Sequence, residues 1–237
     1  FFILGNCITS KGIYSGLMGK MVTAEPLPSK PMDSRILYVA GKWYVRIPEQ
    51  TTTTRIGENQ ARVVSIDYGV RTFLTCFSPD SIHKVADGSF TRIVRLLLRL
   101  DKLQAKISKA PCKQKRRLRL AMARHIKRVQ DLIEDLHYQA ISFLTDNYDV
   151  IIVPDNNFIT AVSKLKRKIR SKTVRSLLGY AFATFTRRLE HKCLLYGKRM
   201  IKVCESYTSK TSNWTGEIIG NLGGSKVITS GGIKVDR

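Results

Sequence analysis

Asp67 is the residue whose type and setting could most readily do chemistry. It ends a β-branched run in Arg62-Val63-Val64-Ser65-Ile66-Asp67-Tyr68-Gly69-Val70, and a glycine follows two residues later. Val and Ile suit a buried strand, and Gly69 suits a tight turn after the acid. A carboxylate at the exit of a central strand is costly to bury unless a positive group sits beside it, and a divalent metal is the usual one. The plainer reading is an aspartate that caps a turn. A second acid, Asp155, follows the apolar run Asp149 to Pro154 (DVIIVP), with Asn157 two residues beyond it.

Cations form the other chemically loaded set. Arg92, Arg95, Arg99, Lys102, Lys106 and Lys109 precede Lys113, Lys115, Arg116, Arg117 and Arg119, and few acids intervene. Lys164, Lys166, Arg167, Lys168, Arg170, Lys172 and Arg175 form a second cluster. Charge runs are commonly solvated faces. Here the scarcity of acids favours phosphate contact, and the second cluster would suit a wall that guides a strand towards the acids. A nuclear-import signal is an alternative for either cluster. His137 reads as a packing or hydrogen-bonding residue on its helix. Trp43 and Tyr44, like Tyr207 and Trp214, read as packing or as base-stacking residues.

The whole chain repeats this bias. Its 237 residues contain 41 Lys plus Arg against 18 Asp plus Glu, a formal charge of +23. Self-repulsion on that scale is tolerable mainly when polyanions neutralise it, so nucleic acid is the expected partner ahead of an anionic membrane surface. The longest apolar runs are far too short to span a bilayer, so no membrane association is expected. The five cysteines lack metal-ligand spacing, and free thiols in a reducing, intracellular setting are expected. The chain starts at Phe1 and stops at Asp236-Arg237, which reads as a fragment or a decayed coding sequence.

The elements that must position Asp67 follow from periodicity. Residues 1–60 read as a partial N-terminal region, with a hairpin over 34–48 around Ala40-Gly41-Lys42 and a Thr-rich linker. Strands are expected at 62–66, 72–77 and 82–86 as an antiparallel meander. Helical spacing predicts helices over 90–108 and 113–147, separated by Pro111. A strand at 149–154, one helix over 173–196 ended by Gly197 and a strand at 199–204 complete residues 61–204. Residues 205–237 read as short β segments with Gly-Gly turns. This order predicts an α/β, RNase H-like fold with a long helical insertion.

Several segments resemble TnpB proteins, the transposon-derived RNA-guided nucleases, and more closely their eukaryotic and viral relatives, the Fanzor proteins. They are Gly41 to Pro48 (GKWYVRIP), Ser65 to Arg71 (SIDYGVR), Asp135 to Pro154, Lys166 to Leu178 (KRKIRSKTVRSLL), Tyr207 to Gly216 (YTSKTSNWTG) and Asp236-Arg237. The resemblance implies a RuvC-type nuclease domain that cuts DNA with two Mg²⁺ ions held by three carboxylates, about 4 Å apart. It implies guide RNA and DNA as partners, with sequence read by base pairing, and a nuclear location in a eukaryote.

The chain also departs from that pattern. Asp67 matches the first carboxylate, but the resemblance puts Asn157 where a Glu is expected, with Asp155 as a possible substitute. The third carboxylate would follow Arg237. The family's zinc ribbon carries two Cys-x-x-Cys knuckles, and Ser212, Thr215, Ile228 and Gly231 stand at those places. A metal-free ribbon-like tail is therefore expected. Taken together, these departures predict a truncated, catalytically impaired copy. The alternatives are a nucleic-acid-binding remnant without catalysis and a guide-independent transposase.

Overall fold

The computed structural model describes residues 1–39, 41–54, 62–155, 171–204, 210–212, 214–220 and 227–236. The chain divides into two compact units that are discontinuous in sequence: Phe1–Thr54 with Val94–Asp135, and Arg55–Ile93 with Leu136–Arg237.

The first unit contains β1 (Phe2–Ile3), β2 (Ile8–Thr9), β3 (Gly12–Ile13), a one-turn α1 (Ser15–Met18), β4 (Ser34–Val39) and β5 (Lys42–Arg46). Strands β1, β4 and β5 pair antiparallel in that order, and β2 pairs β3. The expected hairpin is present, although Ala40 at its tip lies outside the described residues. Cross-strand register puts Ile36 beside Val45, and both pack on a core of Ile3, Ile8 and Ile13. Two pairs further along, the rings of Tyr38 and Trp43 meet at 4.8 Å. Helices α2 (Ser89–Lys109) and α3 (Cys112–Asn147) contribute Val94 to Asp135 to this unit. Their buried residues Val94, Leu100, Ile107, Val129 and Ile133 keep helical spacing, which is what their apolar periodicity requires.

The second unit is built on a mixed five-stranded sheet. Its strands are β6 (Val63–Tyr68), β7 (Leu74–Phe77), β8 (Ile82–Val85), β9 (Val150–Pro154) and β10 (Arg199–Val203), in the order β10-β9-β6-β7-β8. Central β6 runs parallel to β9 and antiparallel to β7. β9 is buried along nearly its whole length, as its unbroken apolar run requires. One face of the sheet, with Val64, Ile66, Leu74, Cys76, Ile151 and Val153, is buried. Aromatic rings fill the space beside it: Phe73 stacks on His137 and on Phe182, and meets Phe185 edge-on.

The helix expected over 173–196 is two helices, α4 (Ser171–Tyr180) and α5 (Phe182–Tyr196), broken at Ala181 with φ 50°. Left-handed backbone at a residue with a Cβ is strained, and the partners of Tyr180 explain why it is held. The Tyr180 side chain is fully buried and its hydroxyl meets Ser89 Oγ at 2.7 Å. Its carbonyl accepts from His137 Nε2 at 2.8 Å. Such a break is not visible in apolar periodicity, because its cause is contributed by residues distant in sequence. Gly197 ends α5 at φ 64°, with the Lys198 amide bonded to the Cys193 carbonyl, as its position suggests.

The entry ends of β6, β9 and β10 are pinned by one carboxylate. Asp149 accepts from Arg62 Nε at 3.0 Å and Nη2 at 2.9 Å, and from Lys198 Nζ at 2.8 Å. The Asp149 and Val150 amides both donate to the Arg62 carbonyl. The remaining described element is the hairpin β11 (Val227–Ser230) and β12 (Ile233–Asp236), closed by Gly231 and Gly232 at φ 56° and 76°. Positive φ at both turn positions is what a two-residue hairpin turn of this hand demands. None of the five cysteines forms a disulfide, and burial pushes Cys76 and Cys193 up to about 11. Among the described residues no helix is long and apolar enough to cross a membrane.

Two outcomes follow from these contacts. His137→Phe keeps the ring volume but leaves the Tyr180 carbonyl without that donor, and should lower the unfolding free energy in urea by about 1–3 kcal/mol. The Arg62 and Lys198 hydrogen bonds hold the Asp149 carboxyl well below the usual carboxylate range. A depressed carboxylate contributes stability above its unfolded pKa of about 3.9, and that contribution is lost as pH falls through the folded value. Thermal scans from pH 7 down to pH 2 should therefore show a steeper loss of Tm for the native chain than for Asp149→Asn.

Candidate functional site

Side chains alternate along a strand, and this decides what Asp67 faces. Tyr68 lies on the side covered by α5, with its ring 4.7 Å from Phe182 and its hydroxyl 2.8 Å from Thr186 Oγ1. Asp67 therefore lies on the opposite face, level with Thr75 of β7. On that same face Phe77 and Ile82 pair across β7 and β8 and are 57% and 64% exposed. The Asp67 carboxyl is pushed up by desolvation, opposed by the Tyr68 backbone amide that hydrogen-bonds to it. The residue is nonetheless open to solvent, so the desolvation comes from protein packed around it rather than from seclusion. Gly69 is needed for space: a Cβ there would run into the Thr72 carbonyl oxygen.

Asp155 sits one residue past β9, where its amide donates to the Val203 carbonyl at 2.8 Å and extends the parallel ladder. It lines a cleft of about 270 Å³ with Tyr68, Thr186, Arg187, Glu190 and Lys202. Lys202 Nζ lies 3.3 Å from both Glu190 oxygens. Asp67 does not line this cleft. Among the described residues no group of three His, Cys, Asp or Glu is placed to hold a metal ion. A two-metal Mg²⁺ site needs several carboxylates around one point, so the described residues do not by themselves fit it.

Asn157, Lys164, Lys166, Arg167, Lys168 and Arg170 lie outside the described residues. Lys172 falls in the first turn of α4, and Arg175 is half-buried further along it. Arg116, Arg117 and Arg119 are exposed near the start of α3, and Arg92, Arg95, Arg99, Lys102, Lys106 and Lys109 are exposed on α2. His137 is buried and serves the packing described above. Sequence reasoning missed a further basic set, Arg187, Arg188, His191 and Lys192 on α5, which lines a cleft of about 690 Å³ with Tyr138 and Tyr196. The signal was present as basic residues at i, i+1, i+4 and i+5.

In the tail, the four places matched to zinc ligands carry other contacts. Ser212 is buried and its Oγ accepts from the Thr215 amide at 3.3 Å. Thr215 Oγ1 meets Ser230 Oγ at 2.8 Å, and Ser230 Oγ donates to Glu217 Oε2 at 2.9 Å. Trp214 Nε1 donates to the Ser230 carbonyl at 2.9 Å. Ile228 is buried and Gly231 occupies the turn. Hydrogen bonds between hydroxyls and one carboxylate thus join the segments that flank these places.

Comparison with known proteins agrees with the resemblance. A family model described as Cas12f1-like, TNB domain, matches residues 182–237. The TnpB-like proteins L79 and R854 of Acanthamoeba polyphaga mimivirus are 26% and 27% identical over 215 residues, 88% of this chain and 41% and 40% of theirs. A solved Cas12f1–sgRNA–target DNA complex aligns at a TM-score of 0.47 and 17% identity, covering 77% of this chain and 45% of that one. The similarity to these TnpB-like proteins extends over most of the chain. It spans about two fifths of the length of the curated relatives it matches, 41% for L79.

A raised carboxyl makes Asp67 unfavourable for stability once ionised, since its folded pKa lies above its unfolded one. Asp67→Asn should therefore raise Tm at pH 7. The gain should vanish as pH falls below about 4, where the native side chain is also neutral.

Proposed function

We propose that this chain is part of an RNA-guided DNA endonuclease of transposon origin, with a nuclease domain of the RNase H (RuvC) kind. The observation that supports this best is the mixed sheet whose central strand β6 presents Asp67, with a parallel neighbour on one side and an antiparallel one on the other. Similarity to TnpB-like proteins over 88% of the chain points the same way. The exposed cations of α2 and of the start of α3 are suited to the phosphates of guide and target. Base pairing with the guide would then choose the sequence. Asp67 is the first carboxylate of this reading, and Asn157 occupies the position of the second. The tail would hold its shape without zinc, through the Thr215–Ser230–Glu217 hydrogen bonds.

A second reading, binding without cleavage, is favoured by a specific observation. Among the described residues no group of three or more His, Cys, Asp or Glu is placed to hold a metal ion. Cleavage of guide-matched DNA in Mg²⁺ separates the two. On the first reading, Asn157→Glu raises the rate at least about tenfold, and adding Asp67→Ala removes that gain while DNA binding is unchanged. On the second, neither substitution yields cleavage, and binding falls steeply with salt and ignores Mg²⁺. Cleavage that survives Asp67→Ala contradicts the first reading. Cleavage that needs no guide RNA would identify a transposase instead.

A further inference from the structure

We propose that the cleft between α5 and the C-terminal turns of α3 binds a single nucleic-acid strand, with phosphates on Arg187, His191 and Lys192 and bases against Tyr138 and Tyr196. The proposal rests on the nucleic-acid reading above and adds a site to it. Helical spacing sets Arg187 above His191 and Arg188 above Lys192, so two rows of basic residues face one cleft of about 690 Å³. Among the described residues no carboxylate lines it. Its wall on α3 supplies Tyr138, Ile141 and Ser142, which turns a basic helix face into a groove with an apolar, aromatic side.

The cations are held in place before any ligand arrives. Arg188 lies with its guanidinium carbon 5.2 Å over the Tyr138 ring, and its Nη1 is 3.2 Å from His137 Nδ1. Because Nε2 of that buried imidazole donates to the Tyr180 carbonyl, Nδ1 is the acceptor, and Arg188 donates to it. Lys192 Nζ lies 4.3 Å over the Tyr196 ring. Tyr138 and Tyr196 are nevertheless 61% and 46% exposed, so each offers ring surface to a ligand. Exposed aromatic rings beside a cationic row are the means by which proteins hold unpaired bases and their backbone together. In a duplex the bases are stacked on one another and cannot use those rings. Arg187 also lines the separate cleft at the tips of β6 and β9 where Asp155 lies.

The test measures anisotropy of labelled oligo-dT, oligo-rU and a mixed-sequence DNA duplex with the whole chain across a salt series. Arg187→Gln with Lys192→Gln should weaken single-strand binding about tenfold and lower the slope of log affinity against log salt by about 1.4, at about 0.7 per lost phosphate contact. Tyr138→Leu should weaken it roughly fivefold or more with the slope unchanged. Duplex affinity should be untouched by either, and the better of dT and rU names the strand. Ultraviolet cross-linking of the unsubstituted chain should mark Tyr138 or Tyr196. Should the groove variants bind as the native chain does, while Arg116→Gln with Arg117→Gln weakens binding, the groove proposal is overturned and the wider reading stands. Equal loss of duplex binding in the groove variants also overturns it. If the native chain binds no oligonucleotide even at low salt, both readings fail together.

Discussion

One buried imidazole determines how the second unit is arranged. His137 reaches from α3 to the carbonyl that ends α4, accepts from Arg188 on α5, and stacks on Phe73 beside the sheet. A buried carbonyl without a donor is expensive, so the bond to Tyr180 fixes where α4 must stop. The strained Ala181 is the local consequence, since the chain must turn there to bring Phe182 and Phe185 onto Phe73. Those rings in turn fix Tyr68, and the alternation of β6 then fixes the side on which Asp67 stands.

Asp67 carries a cost to the fold. A neutral side chain would suit its partly desolvated setting better than a carboxylate does. Asp149 is the contrasting case, because two cations hold it and it secures three strands. An acid that opposes stability at the exit of a central strand is more readily understood through a positive partner or substrate than through the fold. That argument connects the sheet to the nuclease reading, whereas the cations on α2, α3 and α5 connect the surface to nucleic acid.

Much of this fold was legible in the residues. The run from Val63 to Asp67, the hairpin around Gly41, the two long helices parted by Pro111 and the buried β9 all follow from period, length and turn residues. Residues that act through distant partners were not legible. The break at Ala181 depends on His137, forty-four positions earlier by number, and no local pattern reports it. The setting of Arg188 was not legible either, because Tyr138 and His137, which hold it, are about fifty positions away. The identity of Asp67 was plain, but its face followed only from the partners of Tyr68. Asn157 and the cluster from Lys164 to Arg170 lie outside the described residues, so that half of the candidate site stands as read from the sequence.

The central proposal is that this basic chain, similar to TnpB-like proteins, works with a guide. Sequencing the RNA that remains bound after purification through moderate salt tests it most directly. The account predicts a discrete RNA species of defined ends, enriched far above host background. A broad sample of host RNA, or none at all, would contradict guide-directed function and leave only unspecific binding of polyanions.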